Sequence, residues 1–168
     1  GTHEMVALVL YAVLALSSQT GQARGQLPTQ GTIVPGVSFA GLKLGETEPR
    51  VQRAWGSPYE TCQYCTDTTW LFEYRRGEPL GVAVRFERNR AVAIFSLGSP
   101  AGWKTSKGLY IGDPVSNVYN LYGSPGTSNC IGYDALTVRI GQTTTSFYSA
   151  AGTIYGFALT AASESPCQ

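Results

Sequence analysis

Residues 42–58 read LKLGETEPRVQRAWGSP, and residues 109–125 read LYIGDPVSNVYNLYGSP, 67 positions further on and without a gap. The identical pairs are Leu42/Leu109, Gly45/Gly112, Val51/Val118, Gly56/Gly123, Ser57/Ser124 and Pro58/Pro125. Self-similarity at a fixed offset indicates a supersecondary unit that is used twice. The sequence therefore predicts two tandem repeats, over residues 37–100 and 101–168.

Each copy carries the signals of a short helix, with a capping residue, a proline near the first turn and a terminating glycine. These residues are Thr47, Pro49 and Gly56 in the first copy, and Asp113, Pro114 and Gly123 in the second. A helix of two to three turns is marginal on its own, so we expect each one to pack on a sheet.

Strand-like segments follow each predicted helix and are separated by Gly-rich or Arg-rich turns. They cover residues 69–75, 81–87 and 91–97 in the first half, and 134–140, 143–149 and 153–159 in the second. The prediction is an α+β fold of two repeats, each a short helix packed on an antiparallel meander of three to four strands. A single irregular domain with an accidental internal match is the alternative.

An unbroken apolar run, MVALVLYAVLAL, occupies residues 5–16. It is too short for a comfortable bilayer span and is typical of a secretory signal. We interpret residues 1–25 as a signal peptide or as a membrane or partner anchor, and residues 26–36 as a linker. If the run is retained, residues 5–18 are expected to contact a membrane, and a pilin-like subunit becomes an alternative. In each case the remainder of the chain lies in the periplasm or is secreted.

Four cysteines fit such an oxidising compartment, where an even number usually forms disulfides. Cys62 and Cys65 could pair locally, with Cys130 bonded to Cys167, or the pairs could cross between the two halves. A zinc site would need a second closely spaced cysteine pair, which the sequence does not supply. The sequence therefore predicts two structural disulfides and no metal site.

The repeated pattern, Leu-x-apolar-Gly followed by a helix and Gly-x-Pro, resembles the tandem module of β-lactamase inhibitor proteins. It is also similar to the small outer-membrane assembly proteins of the SmpA/OmlA type. The resemblance covers roughly residues 37–165 and implies an extracytoplasmic protein that binds another protein. In the inhibitor family a disulfide cysteine also follows the helix-ending glycine, as Cys62 and Cys130 do here.

The charge content argues against several functions. Only 14% of residues are charged, and 12 basic residues nearly cancel 11 acidic ones, whereas nucleic-acid binding needs clustered Lys and Arg. The one histidine, His3, lies in the N-terminal segment, so Ser-His or Cys-His catalysis has no base in the folded part. We predict a protein without enzymatic activity or cofactor. A secreted enzyme that acts on carbohydrate through Glu and Arg on the sheet face is the alternative.

The sequence favours protein–protein binding, because aromatic side chains and Arg dominate contact energies. The predicted partner is an extracytoplasmic or membrane-embedded protein. The chain would act as an accessory or assembly subunit of an envelope complex, or as an inhibitor. The predicted contact residues face away from the expected core: Arg85, Glu87, Arg139, Tyr148, Tyr155 and Phe157. Residues 101–168 hold only three charges of each sign, so we expect the second repeat to carry the contact surface.

Overall fold

The computed structural model of the chain describes residues 25–72, 81–98, 100 and 102–168. The apolar run at 5–16, and with it the predicted signal peptide or anchor before Gly25, lies outside these residues. Within the described part, no helix is long and apolar enough to cross a membrane.

The described residues form eleven strands and two helices. In the first half they are β1 (Thr32–Val34), β2 (Ser38–Phe39), α1 (Glu48–Trp55), β3 (Glu60–Thr61), β4 (Thr68–Phe72), β5 (Gly81–Glu87) and β6 (Arg90–Leu97). In the second half they are β7 (Lys104–Thr105), α2 (Ser116–Tyr122), β8 (Gly126–Cys130), β9 (Tyr133–Ile140), β10 (Thr143–Ala150) and β11 (Thr153–Ala161).

The predicted α+β class is wrong, because the chain is mostly β. Strands hold 47% of the described residues and helices only 11%, so the helices are additions to one dominant sheet. That sheet has eight antiparallel strands in the order β3-β4-β5-β6-β11-β10-β9-β8. β6 pairs with β11, with Phe95 opposite Ala158 and Ile94 opposite Leu159. Two separate meanders would leave both of these apolar strands as open edges, and their pairing removes those edges.

The strand order runs outward from this central pair in the same way on both sides. Each helix is followed in the chain by four strands of the large sheet, with β3 and β8 at the two outer edges. The repeat boundaries at 37–100 and 101–168 stay a prediction.

A small second sheet corrects the predicted linker. β1 lies inside residues 26–36, and its Ile33 is completely buried. β1 pairs antiparallel with β2 and parallel with β7, in the order β2-β1-β7. The sequence predicts a linker here because Pro and Gly flank only three strand residues, too few to show alternation.

The main core lies between the helices, the small sheet and one face of the large sheet. Trp55 and Trp103 are both buried at its centre, with ring centroids 5.7 Å apart. The indole of Trp55 donates a hydrogen bond to the carbonyl of Ala40 (3.0 Å), and that of Trp103 donates to the carbonyl of Pro28 (2.9 Å). A buried indole N–H needs such a partner. The two tryptophans therefore hold residues 28–40 against the core.

α1 begins directly after Thr47, as predicted, but the Thr47 side chain makes no capping hydrogen bond. α2 does not begin after Asp113. Pro114 instead forms a β-bridge with Thr153, and the helix starts at Ser116. The Asp113 carboxylate accepts a hydrogen bond from the backbone N–H of Tyr110 (2.8 Å). Asp113 therefore stabilises the turn before the helix and does not cap it.

Two disulfides form, and the crossed pairing between the two halves does not. Cys62 bonds to Cys65 within the β3–β4 loop, and Cys130 at the end of β8 bonds to Cys167 near the C-terminus. The second bond spans 37 positions of the chain, whereas the first spans three. Because the entropy that a cross-link removes from the unfolded chain grows with loop length, the second should stabilise the protein more.

Removal of the Cys130–Cys167 disulfide by Cys130→Ala/Cys167→Ala should lower the free energy of unfolding by about 4 kcal/mol, from the closed-loop entropy. The matched variant Cys62→Ala/Cys65→Ala should cost about 2 kcal/mol by the same relation. Equilibrium denaturation in guanidinium chloride measures both losses. Equal losses, or a larger loss for the shorter loop, would contradict the expectation.

Candidate functional site

Two of the predicted contact residues are core residues. Phe157 is completely buried beneath the helices, with its ring at 90° to that of Phe147. A bulge explains the error: Tyr148 lies opposite Gly156, but Ser149 lies opposite Ile154, so Tyr155 is an extra residue in β11. The bulge breaks the alternation on which the predicted outward direction depended, and Ile154 and Phe157 both enter the core.

Tyr148 is also completely buried, but on the opposite face of the sheet. Residues 162–168, here called the C-terminal tail, cross this face. The hydroxyl of Tyr148 donates a hydrogen bond to the carbonyl of Pro166 (2.7 Å). The hydroxyl of Tyr133 donates to the carbonyl of Gln168 (2.6 Å) and accepts from the Gln168 N–H (2.7 Å). The tyrosines on this face hold the protein's own tail, and Tyr148 is not available to a partner.

The charged members of the predicted set do not lie together. Nη1 of Arg85 bridges Asp67 (3.1 Å) and Glu164 in the tail (3.0 Å), and the arginine side chain is only 17% exposed. Glu87 and Arg139 are exposed, on β5 and β9 respectively. Three strands, β6, β11 and β10, separate β5 from β9. The six predicted residues therefore form no single surface, and contact by the exposed Glu87, Arg139 and half-buried Tyr155 stays a prediction.

The two outer edges of the large sheet differ. β3 has only two residues and includes Glu60, whereas β8 has five residues, GTSNC, and no charge. Soluble proteins usually protect exposed sheet edges with short strands, charged side chains, proline or bulges. The β3 edge has two of these protections. β8 is bordered by Pro125 but carries none of them within the strand.

β8 belongs to a longer uncharged segment. Residues 114–133, here called the uncharged edge, contain no Asp, Glu, Lys, Arg or His, and they include α2, β8 and the β8–β9 turn. The matching segment 67 positions earlier, residues 47–66, carries Glu48, Arg50, Arg53 and Glu60. The sequence alone could have narrowed the predicted contact region from residues 101–168 to residues 114–133. Neither alternation nor helical periodicity marks β8, so its place at the sheet edge could not be foreseen.

A rigid apolar tip lies at each outer edge. Ile131 is 100% exposed and follows Cys130 directly, while Tyr64 is 99% exposed between Cys62 and Cys65. A loop that a disulfide already constrains loses little further conformational entropy on binding. Of the two tips, only Ile131 lies beside an edge strand long enough to pair with another strand.

A groove of about 390 Å³ lies beside the uncharged edge. Its lining is mostly apolar and includes Val34, Leu121, Tyr122 and Ile140. The Lys107 ammonium donates to the Leu121 carbonyl (3.0 Å) and lies 5.0 Å from the centre of the Tyr122 ring. The Lys107 ammonium therefore already has partners at the end of α2. Elsewhere in the described chain, no group of three or more His, Cys, Asp or Glu residues could hold a metal ion.

No protein-family model matches the chain, and no curated protein sequence matches it. Solved structures that are similar in fold include the following three. A DUF4309 family protein (YjgB) from Bacillus subtilis has a TM-score of 0.56 at 16% identity, over 73% of this chain and 84% of that one. A cysteine-rich secretory protein from Staphylococcus aureus has a TM-score of 0.53 at 11% identity, over 82% of this chain and 50% of that one.

The third is an extracellular protein from Bacillus anthracis that contains an SCP domain. Its TM-score is 0.50 at 12% identity, over 70% of this chain and 44% of that one. At these identities the likenesses concern the fold alone. Two of these proteins are described as extracellular or secretory. The two disulfides of this chain are typical of an extracytoplasmic protein.

Burial raises the pKa of the Tyr148 hydroxyl well above its usual value near 10, and the neighbouring Tyr133 and Tyr155 raise it further, whereas Arg85 lowers it. The pKa of Tyr148 is therefore higher in the folded state than in the unfolded state. The contribution of the neutral hydroxyl to the free energy of unfolding is then complete below about pH 10. It is lost as the pH rises from there through the folded-state pKa.

Tyr148→Phe should therefore have two effects. At pH 7 it should cost about 1 kcal/mol, because the Pro166 carbonyl loses its hydrogen bond. Above pH 10 its stability should fall less steeply than that of the parent. Urea denaturation across this pH range measures both effects, with Tyr64→Phe as an exposed control that leaves stability at pH 7 unchanged. A parallel loss in the parent and Tyr148→Phe above pH 10 would contradict the expectation.

Proposed function

We propose that the chain is an extracytoplasmic protein-binding module that contacts its partner through the uncharged edge. The observation that carries the proposal is β8, a five-residue outer strand without charge that ends beside the fully exposed Ile131. The assignment to an accessory or assembly subunit, or to an inhibitor, belongs to this proposal and follows from the family resemblance of the repeated motif.

The binding mode is strand addition. An outer strand presents unpaired backbone N–H and C=O groups, so an extended segment of another protein gains main-chain hydrogen bonds along it. Side chains next to the strand then provide selectivity. Ile131 offers an apolar side chain on a turn held by Cys130, and Tyr119 on α2 is 48% exposed. A central apolar or aromatic anchor of this kind typically contributes much of the binding energy of an interface.

The sheet faces support this role less well. One face packs against the helices, and the C-terminal tail crosses the other, with Arg85 already bound to Asp67 and Glu164. No observation on the described residues favours the carbohydrate-acting enzyme or the pilin-like subunit. The absence of enzymatic activity stays a prediction.

Site-specific photo-crosslinking in the producing cells tests the proposal. A benzophenone amino acid replaces Ile131 in one variant and Tyr64 in a second, since both side chains are fully exposed beside a disulfide cysteine. We expect a discrete protein adduct from position 131 and none from position 64. Asn129→Lys, on exposed β8, should reduce the adduct at 131 by at least about tenfold, because a buried unpaired charge is costly at an interface.

Gln63→Lys, in the opposite loop, should leave the adduct at 131 unchanged. No adduct from position 131, or equal adducts from positions 131 and 64, would contradict the proposed function.

A further inference from the structure

We infer that the partner of the uncharged edge is a second copy of the same chain, paired antiparallel through β8 about a two-fold axis at Ser128. This inference rests on the proposed function and names the partner of that site. It follows from three properties of the edge: its charge, its symmetry and the placement of its apolar side chains.

The first property is the absence of charge. Two identical strands present identical charges, and like charges directly opposite each other in a sheet are destabilising. β8 has no charged residue, and neither does the rest of residues 114–133. The β3 edge carries Glu60 and is only two residues long, so it could form little of a ladder with its own copy. Of these two edges, β8 is the one suited to self-pairing.

The second property is the symmetry that an antiparallel pair imposes. A two-fold axis makes the contact isologous and closes it at two copies, which prevents open-ended growth. In the five-residue strand Gly126–Cys130 the central position is Ser128, so the axis passes between Ser128 and the partner's Ser128. Thr127 then lies opposite the partner's Asn129, and Gly126 lies opposite the partner's Cys130.

The third property is the fit of side chains in this register. Thr127 and Asn129 are exposed and uncharged, and together they can exchange hydrogen bonds across the axis. Ile131, which is completely exposed, lies opposite the partner's Pro125, so the apolar tip gains an apolar contact at each end of the strand pair.

Sedimentation velocity of the purified chain over a wide range of concentrations tests the inference, with charge variants that report the register. Thr127→Lys/Asn129→Lys places lysines opposite each other twice, and should weaken the dimer by at least about tenfold. Thr127→Lys/Asn129→Glu places a lysine opposite a glutamate twice, and should restore dimerisation. The restored dimer also shows that substitution of both residues leaves the chain folded.

Gln63→Lys/Thr66→Lys adds the same two charges to the exposed β3–β4 loop and should leave the dimer unchanged. Ser128→Cys gives a second readout. Directly opposed residues in an antiparallel pair have Cα atoms about 4.5–5.5 Å apart, which is within disulfide range. Mild oxidation should yield a covalent dimer, and peptide mapping should find the new bond at position 128 with the Cys130–Cys167 bond intact.

A parent chain that stays monomeric at all concentrations would overturn the inference. So would a dimer that tolerates lysine at both 127 and 129, or one that the Lys/Glu combination does not restore. The crosslinking at position 131 separates this failure from that of the proposed function. An adduct with a different protein, together with a monomeric parent, overturns self-pairing and leaves protein binding standing. A monomeric parent without any adduct overturns both.

Discussion

The pairing of β6 with β11 is the interaction on which the remaining structure depends. Each strand is largely buried, and together they place Ile94 opposite Leu159 and Phe95 opposite Ala158. Neither half could expose such a strand to water without creating a long apolar edge. Their union makes one sheet from two similar halves, and it leaves β3 and β8 as the outer strands of that sheet. The properties of these two edges therefore decide how the large sheet can meet another protein.

The two faces of the large sheet are covered by different parts of the chain. The helices and the small sheet bury one face around Trp55 and Trp103. On the other face, small residues such as Ala135 and Ala158 lie near Tyr148, and the C-terminal tail is held there by hydrogen bonds, an ion pair and a disulfide. The Arg85–Glu164 ion pair alone would contribute little in solvent, but here it acts with the neighbouring contacts. A face that the tail already crosses is less suited to a partner than an open edge.

The sequence predicted many local elements because their signals are local. The predicted strands at 81–87 and 153–159 agree closely with β5 and β11, and Thr47 and Gly56 flank α1 as expected. The pairing across the centre could not be predicted, since alternation shows which side chains a strand buries but not which strand lies beside it. The predicted direction of the Phe157 side chain was wrong, because Tyr155 is an extra residue at a bulge in β11. Such a residue changes the face to which the residues beyond it point.

The candidate site was only partly predictable for a related reason. Low charge in residues 101–168 is visible in the sequence and favours the second half as the contact region. Three of the four contact residues predicted there are aromatic, and two of these, Tyr148 and Phe157, are buried, because large aromatic side chains serve packing as well as contact. The five residues of β8 have neither alternation nor aromatic content. Their significance arises from their position at the outer edge, which depends on the order of all eight strands.

Amide hydrogen exchange, followed residue by residue at increasing protein concentration, tests the role of β8 most directly. Those amides of β8 that point away from β9 should exchange more slowly as the concentration rises, because a second copy covers them. The amides of Glu60 and Thr61 on the opposite edge should not change. Exchange from β8 that is independent of concentration, or that slows equally at both edges, would contradict the assignment of β8 as the self-pairing edge.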